Sequence, residues 1–230
     1  MAAMFNSIAP TYDLINKIGS FGLDGYWRRK LIRELGKRDV QKVLDIACGT
    51  GVLSRNICNR LHTEVVGLDL SAEMLKHAQK KEMYRNRGNT VRPQYIQGAA
   101  EQLPFPDQSF DAVTIAFGVR NFENRSIAFQ QAYRVLRGGG RLFVLDFATP
   151  AHPVWRFFFQ GYFFHILPLW GYIISRNKNA YRYLPHSVAH FPQYQALCAE
   201  IAHSGFSLVH HRSFSGGVAV LYDGTKQSAC

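Results

Sequence analysis

Between Lys42 and Gly51 an apolar run, K-V-L-D-I-A, stops on a glycine loop and helical periodicity takes over at once. Leu53, Ile57 and Leu61 recur every four residues, which puts them on one helix face. Glu64 to Leu70 (E-V-V-G-L-D-L) reads as a second buried strand. Ser71 is placed to cap a helix from Ala72 to about Arg87, with Glu73 suited to its first turn. The alternation continues with a strand at Pro93 to Gln97, a loop containing Leu103-Pro104-Phe105-Pro106 and a strand at Phe110 to Ala116. A helix from Asn124 to Leu136, ended by Gly138-Gly139-Gly140, then leads to a strand at Arg141 to Phe147. A chain that alternates in this way must build parallel strands with helices on both faces. After a helix near Tyr194 to Ser204 the pattern changes. Phe206 to Arg212 and Gly217 to Tyr222 are strands separated only by a short turn containing Gly216, and so short a connection forces an antiparallel pair. The predicted class is α/β: a doubly wound sheet of about seven strands, five parallel plus a C-terminal antiparallel pair.

The chain reads as a single domain, 1–230. It divides into an N-terminal arm (1–40) with a basic helix around Tyr26 to Leu35, a ligand-binding core (41–150), an aromatic lid insertion (151–192) and the C-terminal helix and strand pair (193–223). Lys and Arg number 27 against 16 acidic residues, a formal charge of +11 that attracts anionic partners. The basic residues, among them Arg28, Arg29, Lys30, Arg33, Lys76 and Lys80, are dispersed rather than gathered in one arm. Solvated helix faces account for most of them, and a membrane surface ranks ahead of nucleic acid. Cys48, Cys58, Cys198 and Cys230 form no C-x-x-C pair, so free thiols in a reducing compartment are expected. Met1 to Pro10 carries no secretory pattern, which points to the cytoplasm. Pro153 to Ser175 is dense in aromatics, but Arg156, Gln160, His165, Pro168 and Gly171 interrupt it before the roughly 18 apolar residues of a spanning helix. His186 and His190 are spaced i, i+4 without a third ligand, so no metal site is expected.

In doubly wound sheets ligands sit beyond the carboxyl ends of the strands, which directs attention to Asp45-Ile46-Ala47-Cys48-Gly49-Thr50-Gly51. Gly49 and Gly51 let the backbone approach a ligand, the next helix offers N–H groups to a carboxylate, and Asp45 can hold a cation. A carboxylate acceptor beside an ammonium acceptor matches the amino-acid end of S-adenosylmethionine (AdoMet). A lone G-x-G is equally a structural turn. The second strand, however, ends at Asp69, 18 residues after Gly51, where a carboxylate can accept from both hydroxyls of an adenosine ribose. A dinucleotide site would want a third glycine where Ser54 stands.

These residues resemble the class I AdoMet-dependent methyltransferases, whose Rossmann-like sheet has this strand pattern. The resemblance implies cofactor contacts from Asp45, Ala47, Gly49, Thr50, Gly51, Asp69 and Leu70, with Met74 as an apolar flank of the adenine, although Met74 reads equally as helix core. It also implies contacts from the loop Gly98-Ala99-Ala100-Glu101 and from Phe117. Members often place Asp or Asn where Ala99 stands, which would shift the adenine amino contact to backbone near Ala100.

A narrower resemblance spans almost the whole chain, to the quinone-pathway C-methyltransferases. It rests on Met4-Phe5-Asn6-Ser7-Ile8-Ala9-Pro10-Thr11-Tyr12-Asp13, Ser20-Phe21-Gly22 with Trp27, and Leu103-Pro104-Phe105-Pro106-Asp107. Phe117-Gly118-Val119-Arg120-Asn121, Arg134-Val135-Leu136 and Tyr181-Arg182-Tyr183-Leu184 complete it. Ile15, Asp24, Gly138 and Asp146-Phe147-Ala148 depart from the family's pattern. The resemblance implies transfer of a methyl group to a polyprenyl quinol, demethylmenaquinol first and a ubiquinone-pathway benzoquinol as the alternative. Arg120 and Asn121 lie past the fourth strand. A guanidinium keeps its proton, so Arg120 can stabilise a quinolate or orient a water, with a surface ion pair as the plain alternative. Tyr12, on an arm that could fold over the donor, is the other catalytic candidate, against simple packing.

Trp155, Phe158, Phe159, Tyr162, Phe163 and Ile166 share a helical stripe that could wall a prenyl groove. Arg156, Arg176, Lys178 and Arg182 would then lie near phospholipid headgroups in peripheral membrane contact at the inner face of the cytoplasmic membrane. A core role or a homodimer seam is the competing use. Rival activities are a small-molecule O- or N-methyltransferase and a non-catalytic AdoMet-binding protein. Nucleic-acid methylation is disfavoured because no Asn/Asp-Pro-Pro-Tyr/Phe loop follows the fourth strand, where Asn121-Phe122-Glu123 stands instead.

Overall fold

The computed structural model describes residues 17, 20, 22–83, 91–162 and 187–228. In chain order the elements are α1 (Asp24–Leu35), β1 (Lys42–Ile46), α2 (Val52–Leu61), β2 (Glu64–Asp69), α3 (Ala72–Met83), β3 (Gln94–Gln97) and β4 (Phe110–Ala116). After a 3-10 turn at Val119–Asn121 come α4 (Arg125–Val135), β5 (Leu136–Phe147), α5 (Pro153–Gly161), α6 (Gln195–His203), β6 (Ser207–Phe214) and β7 (Ala219–Thr225). One seven-stranded sheet has the order β3-β2-β1-β4-β5-β7-β6. β1 to β5 pair in parallel, and β7 is antiparallel to both β5 and β6. The predicted five-plus-two arrangement is therefore present, with β7 inserted between its neighbours rather than added at the edge.

Runs apolar on both faces make the central strands because helices cover both sides. Trp27 and Leu31 of α1 and Leu53 and Ile57 of α2 pack with Phe143 and Leu145 on one face. Phe129 of α4 and Leu197 and Ile201 of α6 pack with Ile115 and Val144 on the other. Trp27 fixes α1: its Nε1 donates to Ser215 Oγ at 2.9 Å, and its rings meet Phe117 and Phe147.

Two boundaries differ from expectation. Gly138-Gly139-Gly140 does not end the fourth helix, because the chain is already extended at Leu136. Instead the register jumps from Phe110↔Leu136 to Ala112↔Arg141, so the glycines form a bulge. A β-carbon on Gly140 would stand 2.8 Å from the Arg137 carbonyl oxygen and 3.0 Å from that of Asp111, which only glycine avoids. α3 is described to Met83, and the expected stretch to Arg87 lies outside the described residues. Ser71 Oγ does accept from Met74 N at 3.1 Å, as a cap should.

Only Pro153 to Tyr162 of the aromatic segment is described; the expected continuation through Phe163, Ile166, Arg176, Lys178 and Arg182 lies outside, as do Tyr12 and His186. Within α5, Phe159 packs against the α1 face, as does Tyr162 just beyond it, while Trp155 is 57% and Phe157 75% exposed. No helix among the described residues is long and apolar enough to cross a membrane.

Candidate active site

A cavity opens at the carboxyl ends of β1, β2 and β4, where the strand order reverses direction around β1. The strands bring Ala47 and Gly49 from the first loop, Asp69, Leu70 and Met74 from the second, and Ala99, Ala100 and Glu101 from the third to its wall. Phe117 and Asn121 come from the fourth. Gly98 of the expected adenine loop lines it too, and so do Ser71, Gly118, Phe122 and Glu123, which sequence reasoning had not singled out for this role. Gly118 was visible only as part of a motif. Its need for glycine is spatial, since a β-carbon there would stand 2.5 Å from the Ala47 β-carbon, so it lets the first and fourth loops close on each other. Ala47 (φ 54) and Phe117 (φ 62) both hold left-handed backbone at this junction, a cost concentrated at the ligand rim.

Asp69 ties the site together. Its Oδ2 accepts from Gly49 N at 2.8 Å and its Oδ1 from Ser71 N at 2.8 Å, so the carboxylate pins the glycine loop to the start of α3. Burial raises its pKa, and the amides of Ser71, Gly49 and Leu70 work against that rise. Glu101 is committed in part elsewhere: its Oε1 accepts from Glu123 N (2.9 Å) and Asn124 N (3.2 Å), holding the loop that leads into α4. Leu70 is half exposed at the mouth, whereas Met74 is buried.

Asp45, Thr50 and Gly51 support the wall from behind and do not line it. Asp45 is register partner of Thr114 on the neighbouring strand, and accepts from Thr114 Oγ1 at 2.8 Å and from Ser54 Oγ at 2.5 Å. Burial pushes its pKa up to about 6, against the lowering effects of those hydroxyls and of the Arg28 guanidinium. Thr50 is buried, its carbonyl accepting from Arg55 at 2.8 Å. The expectation for Gly51 needs correcting. Its φ is +73, and a β-carbon would stand 2.2 Å from the Tyr95 hydroxyl, so the space it leaves is filled by that phenol rather than by a ligand. Ser54, where a dinucleotide site would have glycine, instead anchors Asp45.

Arg120 likewise departs from expectation, because its side chain is buried and does not line the cavity. Its guanidinium donates to Asp146 and, at 2.9 Å, to the Phe117 carbonyl, and it lies 5.6 Å from the Phe147 ring. The plain alternative of a surface pair is overturned too: the pair is a buried one. Burial raises the Asp146 pKa, with Arg120 opposing. Arg120 thus braces the 3-10 turn from which Asn121 reaches the cavity.

A Rossmann-like sheet with an acid closing the glycine loop, and an aromatic and amide wall beside it, defines a methyltransferase of the doubly wound type. Solved structures agree on the fold. A SAM-dependent methyltransferase from Thermotoga maritima superposes with a TM-score of 0.65 at 18% identity, covering 99% of this chain and 100% of that one. The chain belongs to the ubiE/COQ5 methyltransferase family, whose model matches residues 1–226. Among its relatives, the demethylmenaquinone methyltransferase of Thermus thermophilus is 44% identical over 224 residues, covering 97% of this chain and all of that protein. That of Porphyromonas gingivalis is 39% identical over 226 residues, 97% of this chain and 91% of the relative. A ubiquinone/menaquinone biosynthesis C-methyltransferase of Pectobacterium atrosepticum is 39% identical over 228 residues, 98% and 90%.

Proposed function

We propose that the protein moves a methyl group from AdoMet to a ring carbon of a polyprenyl quinol, with demethylmenaquinol as the first substrate and the ubiquinone-pathway benzoquinol as the second. The observation that carries this reading is the convergence of Gly49 and Asp69, 2.8 Å apart, at one end of a cavity whose other wall holds Phe117 and Asn121. Relatives named for both pathways support the two acceptors.

AdoMet supplies an electrophilic methyl on a sulfonium sulfur. Asp69 would take the ribose hydroxyls, Met74 and Leu70 would flank the adenine, and the Ala99-Ala100 backbone would meet its polar edge. Ala47 and Gly49 leave room for the chain that carries the sulfur. On the acceptor side, Asn121 would hold the quinol hydroxyl whose proton leaves as the ring carbon becomes nucleophilic. The methyl would pass to that carbon as its bond to sulfur breaks, the ring proton would be lost to water to restore aromaticity, and the quinolate oxygen would regain a proton from solvent. Holding three atoms in line is worth roughly 7 to 11 kcal/mol of barrier. Arg120 acts through the turn it braces, and its buried positive charge favours the quinolate. Tyr12, on the N-terminal arm, remains the other proposed catalytic residue.

Peripheral contact with the inner face of the cytoplasmic membrane belongs to the same reading. An acceptor with a prenyl tail resides in lipid, and α5 presents Val154, Trp155 and Phe157 outward on a chain of charge +11. A homodimer seam is the other use of that face. Incubation with labelled AdoMet and demethylmenaquinol, benzoquinol and simple phenols in parallel tests the activity: label on a ring carbon of a quinol is expected, and label only on phenol oxygen overturns it. Flotation with anionic vesicles tests the membrane contact, with recovery only in the protein fraction as the negative result.

A further inference from the structure

α1 has two unlike faces. Trp27, Leu31 and Leu35 are buried against the sheet, and Arg28 with them. Tyr26, Arg29, Lys30 and Arg33 recur at i, i+3, i+4 and i+7, so they share one face, and that face lines an open groove whose other wall is Arg60 and Leu61 at the end of α2. Gly36, just past α1, lets the two helix ends approach: a β-carbon there would stand 2.8 Å from Leu61 Cδ2. Four cations, Arg29, Lys30, Arg33 and Arg60, therefore meet in one groove, and no Asp or Glu lines it.

Other cations of the chain meet acids. Arg125 pairs with Glu200, Arg134 with Asp107, Arg137 with Asp111 and Arg141 with Asp223. Glu34, the acid that follows Arg33 on α1, is taken by Lys37 and Arg212. Among the described residues no ion pair or hydrogen bond engages the side chains of Arg29, Arg33 or Arg60, and Lys30 lies over the Tyr26 ring at 5.3 Å. Arg33 and Arg60 stand in last turns, where a cation complements the helix dipole. Arg29 and Lys30 stand a turn too early for that role. Like charges gathered in one groove repel one another, and an anion between them removes that cost.

The border of the groove tells which anion. Leu23 and Tyr26, both exposed, lead from it towards α5: the Tyr26 ring meets that of Phe214 at 6.4 Å, Ser215 holds Trp27, and a β-carbon on Gly216 would stand 3.6 Å from the Trp155 ring. The exposed Val154, Trp155 and Phe157 of α5 thus lie on the same side of the sheet as the four cations. Apolar side chains beside a basic groove suit the boundary between acyl chains and headgroups. Leu23 and Val154 offer a nucleic-acid base nothing to stack on, which favours lipid. We propose, building on the membrane contact of α5, that the groove between α1 and α2 is a headgroup site that takes the phosphate of an anionic phospholipid, so that α1 and α5 seat the protein on the bilayer together.

Binding to vesicles of phosphatidylcholine alone and of an equal mixture of phosphatidylcholine and phosphatidylglycerol tests it. Wild type should prefer the mixed vesicles. A variant carrying Arg29→Gln, Arg33→Gln and Arg60→Gln should bind them about 100-fold more weakly, about 5-fold for each basic side chain near an anionic surface. A control that loses the same charge from α3, by Lys76→Gln, Lys80→Gln and Lys81→Gln, should stay within about 3-fold of wild type. Should the groove variant not fold, its three single substitutions decide, each about 5-fold weaker if the groove holds the lipid phosphate. No loss in the groove variants, or an equal loss in the control, overturns the headgroup site. So does displacement of wild type from mixed vesicles by inorganic phosphate but not by chloride of matched ionic strength, which would identify free phosphate as the ligand. Groove-dependent capture of a single-stranded RNA oligonucleotide in preference to mixed vesicles overturns it as well. Wild type that binds both vesicles alike sinks the headgroup site and spares the contact of α5, whereas wild type that binds neither sinks both.

Discussion

Replacing Asp45 with Asn should make the protein more stable near neutral pH. Asp45 is 1% exposed, and burial pushes its pKa from 3.8 up to about 6. A pKa raised on folding means that the native state prefers the protonated acid. That preference stabilises the fold fully below about 3.8 and is lost as the pH rises through about 6. Above that point the wild-type fold carries an ionised carboxylate at a cost of about 3 kcal/mol, from roughly two pKa units at 1.36 kcal/mol each. Asn is neutral throughout. Its poorer fit to the Ser54 and Thr114 hydroxyls costs about 1 kcal/mol, and that cost does not change with pH. The stability difference between variant and wild type should therefore grow in favour of Asn by about 3 kcal/mol between pH 4 and pH 8, or about 6 to 12 °C in melting temperature for a chain of this size. Calorimetric melts of both proteins across that range measure it. Melting curves that stay parallel at every pH would refute the reasoning.

Asp146→Ala leaves the Arg120 guanidinium buried without its counter-charge and should cost about 3–5 kcal/mol in urea denaturation, whereas an Arg120→Met, Asp146→Leu pair should recover most of that loss. Gly51→Ala forces a β-carbon to 2.2 Å from the Tyr95 hydroxyl at a φ of +73, and a thermal melt should register a loss of at least about 2 kcal/mol. Tyr95→Leu in that background should restore the packing part and leave about 1 kcal/mol of left-handed strain. Asp69→Ala removes the acceptor of Gly49 N and Ser71 N, and should lower S-adenosylhomocysteine affinity about 100-fold by titration calorimetry while the strands still melt cooperatively.

The parallel core was legible because its strands are buried on both faces, which leaves uninterrupted apolar runs that end where ligands bind. The meeting of Gly49 and Asp69 followed from topology alone: adjacent parallel strands in register deliver their loops to the same rim. Three features were not legible in that way. The inward turn of Arg120 depends on Asp146, which lies 26 residues on, on a strand whose register with β4 is set by the glycine bulge. The need for glycine at position 51 arises from Tyr95 on a strand two places across the sheet, and no local pattern carries that information. Arg28 was submerged in a basic helix by counting charges. Helical spacing from Asp24 through Leu31 to Leu35 would have placed it on the inward side beside Trp27.

The position of β7 bears on how the chain emerges and matures. β6 is made first but, among the described residues, pairs with the sheet only through β7, which slides between it and β5 and ends at Thr225. During synthesis, the flank of β5 stays bare and β6 lacks its partner until the residues up to Thr225 have cleared the ribosome. Lys226 then fastens the seam by donating to the carbonyls of Tyr133 and Leu136 at the end of α4. A nascent polypeptide halted near residue 215 would expose two strand margins at once, making it a natural client for chaperones, and a tag that hinders the final strand would be expected to send the product into inclusion bodies.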